Sequence, residues 1–168
     1  MVFLTELVGS AFPIELGYNS NQLGILYAVI PLISALGTHL YPFFKKKFGT
    51  KQVFIFIVIS IIGVTLISPW LTFISATIAI LYRSFLSPNL DILSIDIINN
   101  RVESKYRTTT LSTFTLIKNL PYGVSIIFIG KWLDNSSASH VSFYIAVCFI
   151  LLFGLMYVFG KLKRRTLY

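Results

Sequence analysis

Charged and polar side chains inside apolar runs are the residues of this sequence that could do chemistry. Arg83 stands about midway along one such run, and Ser87 and Asp91 follow it at steps of four residues. On a helix these side chains form one polar stripe, because residues four apart lie on the same face. A charge at the centre of a membrane costs at least about 2.5 kcal/mol, so Arg83 should face a cavity or be paired internally. Both interpretations stay open for Arg83, whereas Asp91 is better explained by a structural role.

A second polar group lies in a later apolar run. Lys118 and Asn119 are adjacent, and Thr115 and Tyr122 continue their face at helical spacing. Two interpretations remain for Lys118: contact with a solute, or extension of its long side chain to the membrane surface, which is slightly favoured. The candidate cavity residues are therefore Arg83, Ser87, Asp91, Lys118, Asn119 and Tyr122.

The chain carries none of the motifs of a membrane enzyme. It has no His-Glu-x-x-His metal pair and no Gly-x-Ser-x-Gly nucleophile turn, and Asp91 and Asp96 are spaced so that they point in different directions. Cys148 is the single cysteine, which excludes an internal disulfide and a thiolate metal cluster. Glu6 and Glu15, in the first apolar stretch, could instead couple protons. We expect no enzymatic activity, no cofactor and no metal site.

The elements that must position these residues are apolar helices. Of the 168 residues, 55% are hydrophobic and 12% are charged, whereas soluble domains are about a quarter charged. Apolar residues come in runs of about twenty, the length that a helix needs to cross a hydrocarbon core about 30 Å thick. The predicted fold class is an all-α integral membrane protein, a six-helix bundle in a single membrane domain over residues 1–168. Its predicted spans are approximately 2–17, 22–43, 52–69, 71–93, 111–130 and 141–160.

Prolines and one polar stretch divide these spans. Pro31 predicts a kink and Pro42 a stop of the second span. Pro69 breaks what would otherwise be one overlong helix, so the third and fourth spans should be joined by a tight turn. The longest polar loop is expected between about Asp96 and Thr110.

Positive charge alternates along the chain. The formal net charge is +8, and Lys and Arg are confined to short segments between apolar runs. The basic connections are 44–51, 101–107 and 161–165, and they alternate with connections almost free of positive charge, 18–21, 68–71 and 132–140. Because basic loops tend to stay in the cytoplasm, the pattern predicts a multi-pass protein of the cell membrane with both termini cytoplasmic. It explains the basicity without nucleic acid, which is not an expected partner.

Two stretches begin a resemblance to a known family of membrane proteins. ELGYNSNQLGILYAVIPL, residues 15–32, is similar to a passage in which a polar turn precedes a glycine-containing cavity helix. NNRVESKYRTTTLSTFTLI, residues 99–117, is similar to a cytoplasmic loop in which an arginine, here Arg107, precedes small hydroxyl residues.

A third stretch completes the resemblance. GTHLYPFFKKKFGTKQ, residues 37–52, retains Lys47, Gly49 and Lys51 of a Gly-x-x-x-Asp-Arg-x-Gly-x-Lys cytoplasmic loop, whose acidic residue is missing here. Taken together, the three stretches resemble the second half of the major facilitator superfamily, whose twelve helices form two six-helix halves. The resemblance covers nearly the whole chain and implies that Lys47, Gly49, Lys51 and Arg107 belong to cytoplasmic loop motifs.

The resemblance implies a function for the chain. We expect transmembrane transport of a small solute, as part of a major facilitator secondary transporter of which this chain is the C-terminal half. The alternatives are an inert truncated product, or a membrane subunit that needs a separate N-terminal half, because alternating access requires two halves around a shared site. The expected partners are the lipid bilayer, a small-molecule solute, and a separate N-terminal half or a second copy.

Overall fold

The structure is a computed structural model that describes the backbone of residues 10–165 and the side chains of residues 10–156. All regular elements in this part of the chain are helical, which confirms the all-helical class. Helix α1 covers residues 10–15, and a short 3-10 helix, Ser68–Trp70, follows α3. The remaining helices are α2 Ser20–Phe48, α3 Thr50–Leu66, α4 Phe73–Leu86, α5 Pro88–Arg101, α6 Ser104–Asn135 and α7 Ala138–Arg165. Glu6 and most of the first predicted span, 2–17, lie outside the described residues.

Three described helices are long and apolar enough to cross a membrane. They are α2, α6 and the Ala138–Met156 part of α7. Helix α3 is also apolar but has 17 residues, slightly fewer than a helix perpendicular to the membrane needs. By length and composition, the described residues agree with the predicted membrane class.

Helix α2 runs further than the sequence predicts. Pro42 lies inside the helix, as Pro31 does, so the expected stop at Pro42 is wrong. Helices in apolar surroundings tolerate proline when the carbonyls that it frees find other partners. The helix ends instead at Gly49, whose φ of 80° is readily available only to glycine and whose N–H donates to the carbonyl of Lys45 at 2.9 Å.

The expected polar loop between Asp96 and Thr110 is largely helical, which corrects that prediction. Helix α5 continues to Arg101 and α6 begins at Ser104, so only two residues separate them. Polar residues here extend the helices beyond their apolar parts, because a helix satisfies its own backbone whether or not its side chains are apolar. The connection at Pro69, by contrast, is the tight turn that the sequence predicts.

The predicted span 71–93 is divided into α4 and α5 at Ser87 and Pro88. Proline has no N–H, so the carbonyl four residues earlier, that of Ser84, loses its helical donor. The hydroxyl of Ser34 on α2 donates to this carbonyl at 2.9 Å. The next carbonyl, that of Phe85, accepts from Nδ2 of Asn89 at 3.1 Å. The break in the helix is thus stabilised by a side chain from a neighbouring helix.

Helix α2 crosses α4 at its closest point beside this break. A Cβ atom built on Gly37 would lie 2.0 Å from the carbonyl oxygen of Phe85, closer than any real contact. Only glycine therefore permits this approach of the two backbones, the kind of small-residue contact that lets helices pack closely in membranes.

The two ends of the bundle differ in charge. At one end, Oγ of Ser68 donates to the carbonyl of Ser139 at 2.8 Å, and Ser139 donates from its backbone N and its Oγ to Glu15 at 3.2 and 2.6 Å. At the other end, Lys45 pairs with Asp96, and Nη2 of Arg107 donates to the carbonyl of Asn99 at 3.0 Å. The charge-poor connections therefore meet at one end and the basic segments 44–51 and 101–107 at the other.

The glycine contact generates a first prediction. Gly37→Ala should destabilise the fold by about 1–3 kcal/mol, because the new methyl group overlaps the backbone of α4. Gly24→Ala is the matched control on the same helix, where nothing lies within 4 Å of the added Cβ. The measurement is the thermal unfolding temperature of the two purified variants in one detergent. Equal unfolding temperatures for the two variants would contradict the close crossing.

The helix break generates a second prediction. Ser34→Ala should cost about 0.6–1.7 kcal/mol, because the carbonyl of Ser84 loses its hydroxyl donor. In a Pro88→Ala background, the restored N–H can bond this carbonyl, so the same Ser34 change should cost much less. A double-mutant cycle on thermal unfolding measures the coupling. Additive effects would exclude the proposed link between Ser34 and Pro88.

Candidate functional site

An ion pair between α5 and α6 joins the two polar groups predicted from the sequence. Nζ of Lys118 lies 2.8 Å from Oδ1 of Asp91, although the residues are 27 positions apart. The side chains are 27% and 51% exposed, so the pair lies at an open edge of the bundle. Asp91 stands in the first turn of α5, where the helix dipole favours a carboxylate. This pairing places the Lys118 ammonium against α5, and the extension of Lys118 to the membrane surface stays a prediction.

A polar stripe continues from this pair along α6. Ser112, Thr115 and Asn119 line an open groove together with leucine side chains of the same helix. Asn119 is exposed, and Tyr122 lies one turn further along and is partly buried. Because one side of the groove is formed by α6 alone, the hydroxyl and amide groups along it are accessible from outside the described bundle.

Helix α6 is the least buried of the three long apolar helices. Ile129 is its one buried residue. In the most apolar 18 residues of α6, 6% of the residues are buried, compared with 28% in the corresponding part of α7. Large side chains such as Leu116 and Phe128 are 67% and 70% exposed. The middle of α6 is therefore a surface that the described part of the chain does not cover.

Arg83 lies at a different place from the ion pair. It stands in the last turn of α4, is partly buried, and lines a cavity of about 30 Å³ with Thr65, Ser68 and Ser142. This cavity lies between α3, α4 and α7, near the charge-poor end. The carboxylate of Asp91 pairs with Lys118 on α6, whereas Arg83 lines the small cavity. The helix break at Ser87 lies between them.

Ser87 has a structural position in the break. Its N–H donates to the carbonyl of Arg83 at 2.8 Å, and its carbonyl accepts from Leu90 at 3.2 Å. The side chain is partly buried. These two hydrogen bonds keep the backbone of Ser87 in a helical conformation between α4 and α5. The structure therefore gives Ser87 a structural role.

The four predicted loop residues all lie at the basic end. Nζ of Lys47 stands 5.4 Å from the centre of the Phe48 ring, a cation–π contact. Gly49 ends α2, and Lys51 is exposed in the first turn of α3. Arg107 holds the carbonyl of Asn99, as described above. Each residue therefore has a structural position, whether or not the motif has a further function.

Two polar contacts were missed by sequence reasoning. The sequence analysis treats Lys45 only as part of a basic segment, yet it pairs with Asp96 on α5. Glu15 was considered for proton coupling, whereas its carboxylate holds Ser139 at the start of α7, 124 positions away. A carboxylate stabilises a helix N-terminus by accepting its free N–H groups. Nothing local in the sequence indicates either partner.

A cavity of about 440 Å³ lies between α2, α3, α4 and α5 and was also missed. Its wall is largely aromatic and aliphatic. Tyr41 and Asn89 line it as well, and both are buried. The sequence signal was present in the phenylalanines of residues 43–56, but only the packing of four helices brings them around one space.

Comparison of the chain with models of protein families, with curated proteins and with solved structures finds no match. The likeness to the major facilitator superfamily therefore rests on the three sequence stretches alone. Among the residues whose side chains are described, no three His, Cys, Asp or Glu residues lie close enough together to hold a metal ion.

The ion pair generates a third prediction. In lipid nanodiscs Asp91→Asn should lower the unfolding temperature, because Lys118 loses this carboxylate and a lysine charge in lipid costs about 2.5–3.5 kcal/mol. The full cost should be smaller, since both side chains are partly exposed. The double variant Asp91→Asn/Lys118→Gln should recover part of the loss by removing both charges. Asp134→Asn, which changes an exposed carboxylate near the end of α6, is the control; an equal loss there would refute the importance of the pair.

Proposed function

We propose that this chain is the C-terminal half of a secondary transporter of the major facilitator type. In this proposal, α5 and α6 form one wall of the path of a small polar solute. The observation that carries the proposal is the pairing of Asp91 with Lys118 beside a polar stripe that no described helix covers. The resemblance of the three sequence stretches supports the choice of family.

The groups on this wall suit a polar organic solute. The hydroxyl of Ser112 and the amide of Asn119 can donate and accept hydrogen bonds. The hydroxyl of Thr115 donates to the carbonyl of Leu111 at 2.9 Å and can accept from a solute.

Lys118 can bind an anionic group of the solute in place of Asp91, and Asp91 can bind a cationic group in place of Lys118. Such charge-assisted hydrogen bonds are stronger than those between neutral groups. Transporters place such sites near the middle of the membrane, between their two halves.

The distribution of charge supports the proposed orientation. The basic segments 44–51 and 101–107 meet at one end of the bundle, and the charge-poor connections meet at the other. A multi-pass protein of the cell membrane with its basic end in the cytoplasm has both termini on that side.

The exposure of α6 favours a version of the proposal that requires a partner. Large apolar side chains alternate with the polar stripe, and Ile127 and Phe128 are 63% and 70% exposed. Lipid can cover these apolar groups, but it offers no partner to the exposed amide of Asn119. A separate N-terminal half is therefore the proposed cover, with a second copy of this chain as the alternative. An inert truncated product is the competing explanation and predicts no transport with either partner.

The proposed function is tested by searching the coding region upstream of this chain for a six-helix first half and co-expressing the two. The two halves should co-purify, and together they should accumulate at least one solute from a panel of radiolabelled sugars, amino acids and organic ions in proteoliposomes. Neither half should do so alone. Asn119→Ala should lower this flux about tenfold or more if the amide binds solute in the transition between the two states.

The matched control is Thr113→Ala. Thr113 is exposed on the same helix but lies on a different face from Ser112, Thr115 and Asn119. Its substitution should leave the flux unchanged. Equal losses in the two variants would argue against a path along the stripe, and absence of both complex and flux would favour the inert product. Arg83→Ala gives a further comparison: loss of flux there would assign the path to the cavity between α3, α4 and α7.

A further inference from the structure

The cavity between α2, α3, α4 and α5 opens on the outside of the bundle at its basic end. Its wall includes the rings of Phe44, Phe48, Phe56 and Phe85. Phe48 and Phe56 are 48% and 58% exposed, so the aromatic wall continues onto the surface. A space of about 440 Å³ with such walls accepts an apolar chain rather than water.

Two buried polar atoms in the wall have no hydrogen-bond partner. They are Oη of Tyr41 and Oδ1 of Asn89, in residues that are 5% and 4% exposed. The amide nitrogen of Asn89 is engaged by the carbonyl of Phe85, so its oxygen remains as an acceptor. Buried polar groups are nearly always paired in folded proteins. The pair therefore points to a ligand that carries polar groups in addition to an apolar chain.

The mouth of the cavity is positively charged. Nζ of Lys47 stands over the ring of Phe48, which lines the cavity, and Lys51 adjoins Gln52, which also lines it. The mouth also contains the start of α3, which has no side-chain cap. The first N–H groups of a helix without a cap attract an anion. Two lysines and a helix N-terminus thus lie next to residues that line the same opening.

We propose that this groove binds one anionic phospholipid from the leaflet at the basic end of the bundle. Its phosphate lies at Lys47, Lys51 and the start of α3, and one acyl chain enters between the phenylalanine rings. An ester carbonyl, which lies on the acyl-chain side of the phosphate, accepts from the Tyr41 hydroxyl. A soluble anion has no use for the aromatic wall, and a zwitterionic lipid gains less from the lysines. The site is separate from the groove on α6 and does not depend on the proposed transport.

Quenching by brominated lipid tests this site in the full chain. Phe48→Trp is introduced as the probe, with Trp70→Phe and Trp132→Phe removing the other two tryptophans. Dibrominated phosphatidylglycerol should quench the probe at lower mole fraction than dibrominated phosphatidylcholine does. Lys47→Gln/Lys51→Gln should reduce this preference roughly fivefold for each lysine removed.

Lys105→Gln is the matched control. Lys105 also stands over a neighbouring ring, 5.5 Å from the centre of Tyr106, and belongs to the basic end, but it lies on α6. Its substitution should leave the lipid preference unchanged. Phe56→Trp in the same background is a second probe of the same wall, which allows the test if the first probe disturbs the fold. Equal quenching by the two lipids, or an equal loss in Lys105→Gln, would overturn the proposal. Relief of the quenching by inorganic phosphate would identify a site for a soluble anion and overturn it as well.

Discussion

The carbonyl that Pro88 leaves without a donor is the constraint around which this bundle is arranged. In an apolar interior, an unpaired carbonyl is costly, and the hydroxyl of Ser34 removes that cost from a second helix. One turn further along α2, Gly37 allows the backbones to approach. A proline in one helix, and a serine and a glycine in another, therefore determine where α2 and α4 cross. The register of the rest of α2 follows from this crossing.

Helix α5, which begins at the break, forms ion pairs with two other helices. Asp96 pairs with Lys45 on α2, and Asp91 pairs with Lys118 on α6. The sequence predicts that these two carboxylates point in different directions, and the structure confirms it. One short helix thus joins the tightly packed part of the bundle to the long, little-buried α6. The cavity lined by Asn89 and the groove on α6 lie on the two sides of the same element.

Features that depend on local sequence could be predicted, whereas contacts between distant residues could not. The all-helical class, three long apolar helices and the turn at Pro69 are local properties, and they are read correctly from the sequence, whereas the predicted span 71–93 is two helices of 14 residues each. The stop at Pro42 and the long loop before Thr110 are wrong for a common reason: a helix continues wherever its backbone bonds are satisfied, including through a proline or a polar stretch. For the candidate site, the polar residues of α6 were identified, but their ion partner was not. Pairing across 27 positions depends on how α5 and α6 pack against each other, which no spacing rule contains.

Helix α6 contacts the rest of the described bundle near its two ends and at its middle. Arg107 fixes it near its start, the buried Ile129 and the stacking of Trp132 on Tyr144 fix it near its end, and the ion pair of Lys118 supports its middle. The contacts at the two ends are a hydrogen bond from Arg107 to a backbone carbonyl and an aromatic stack. The central support is ionic, and Pro121 stands three residues beyond it as a natural bending point. A charge that competes for Lys118 or Asp91 therefore removes the contact at the middle of α6 and leaves the contacts at its two ends in place. The helix then bends more easily at Pro121.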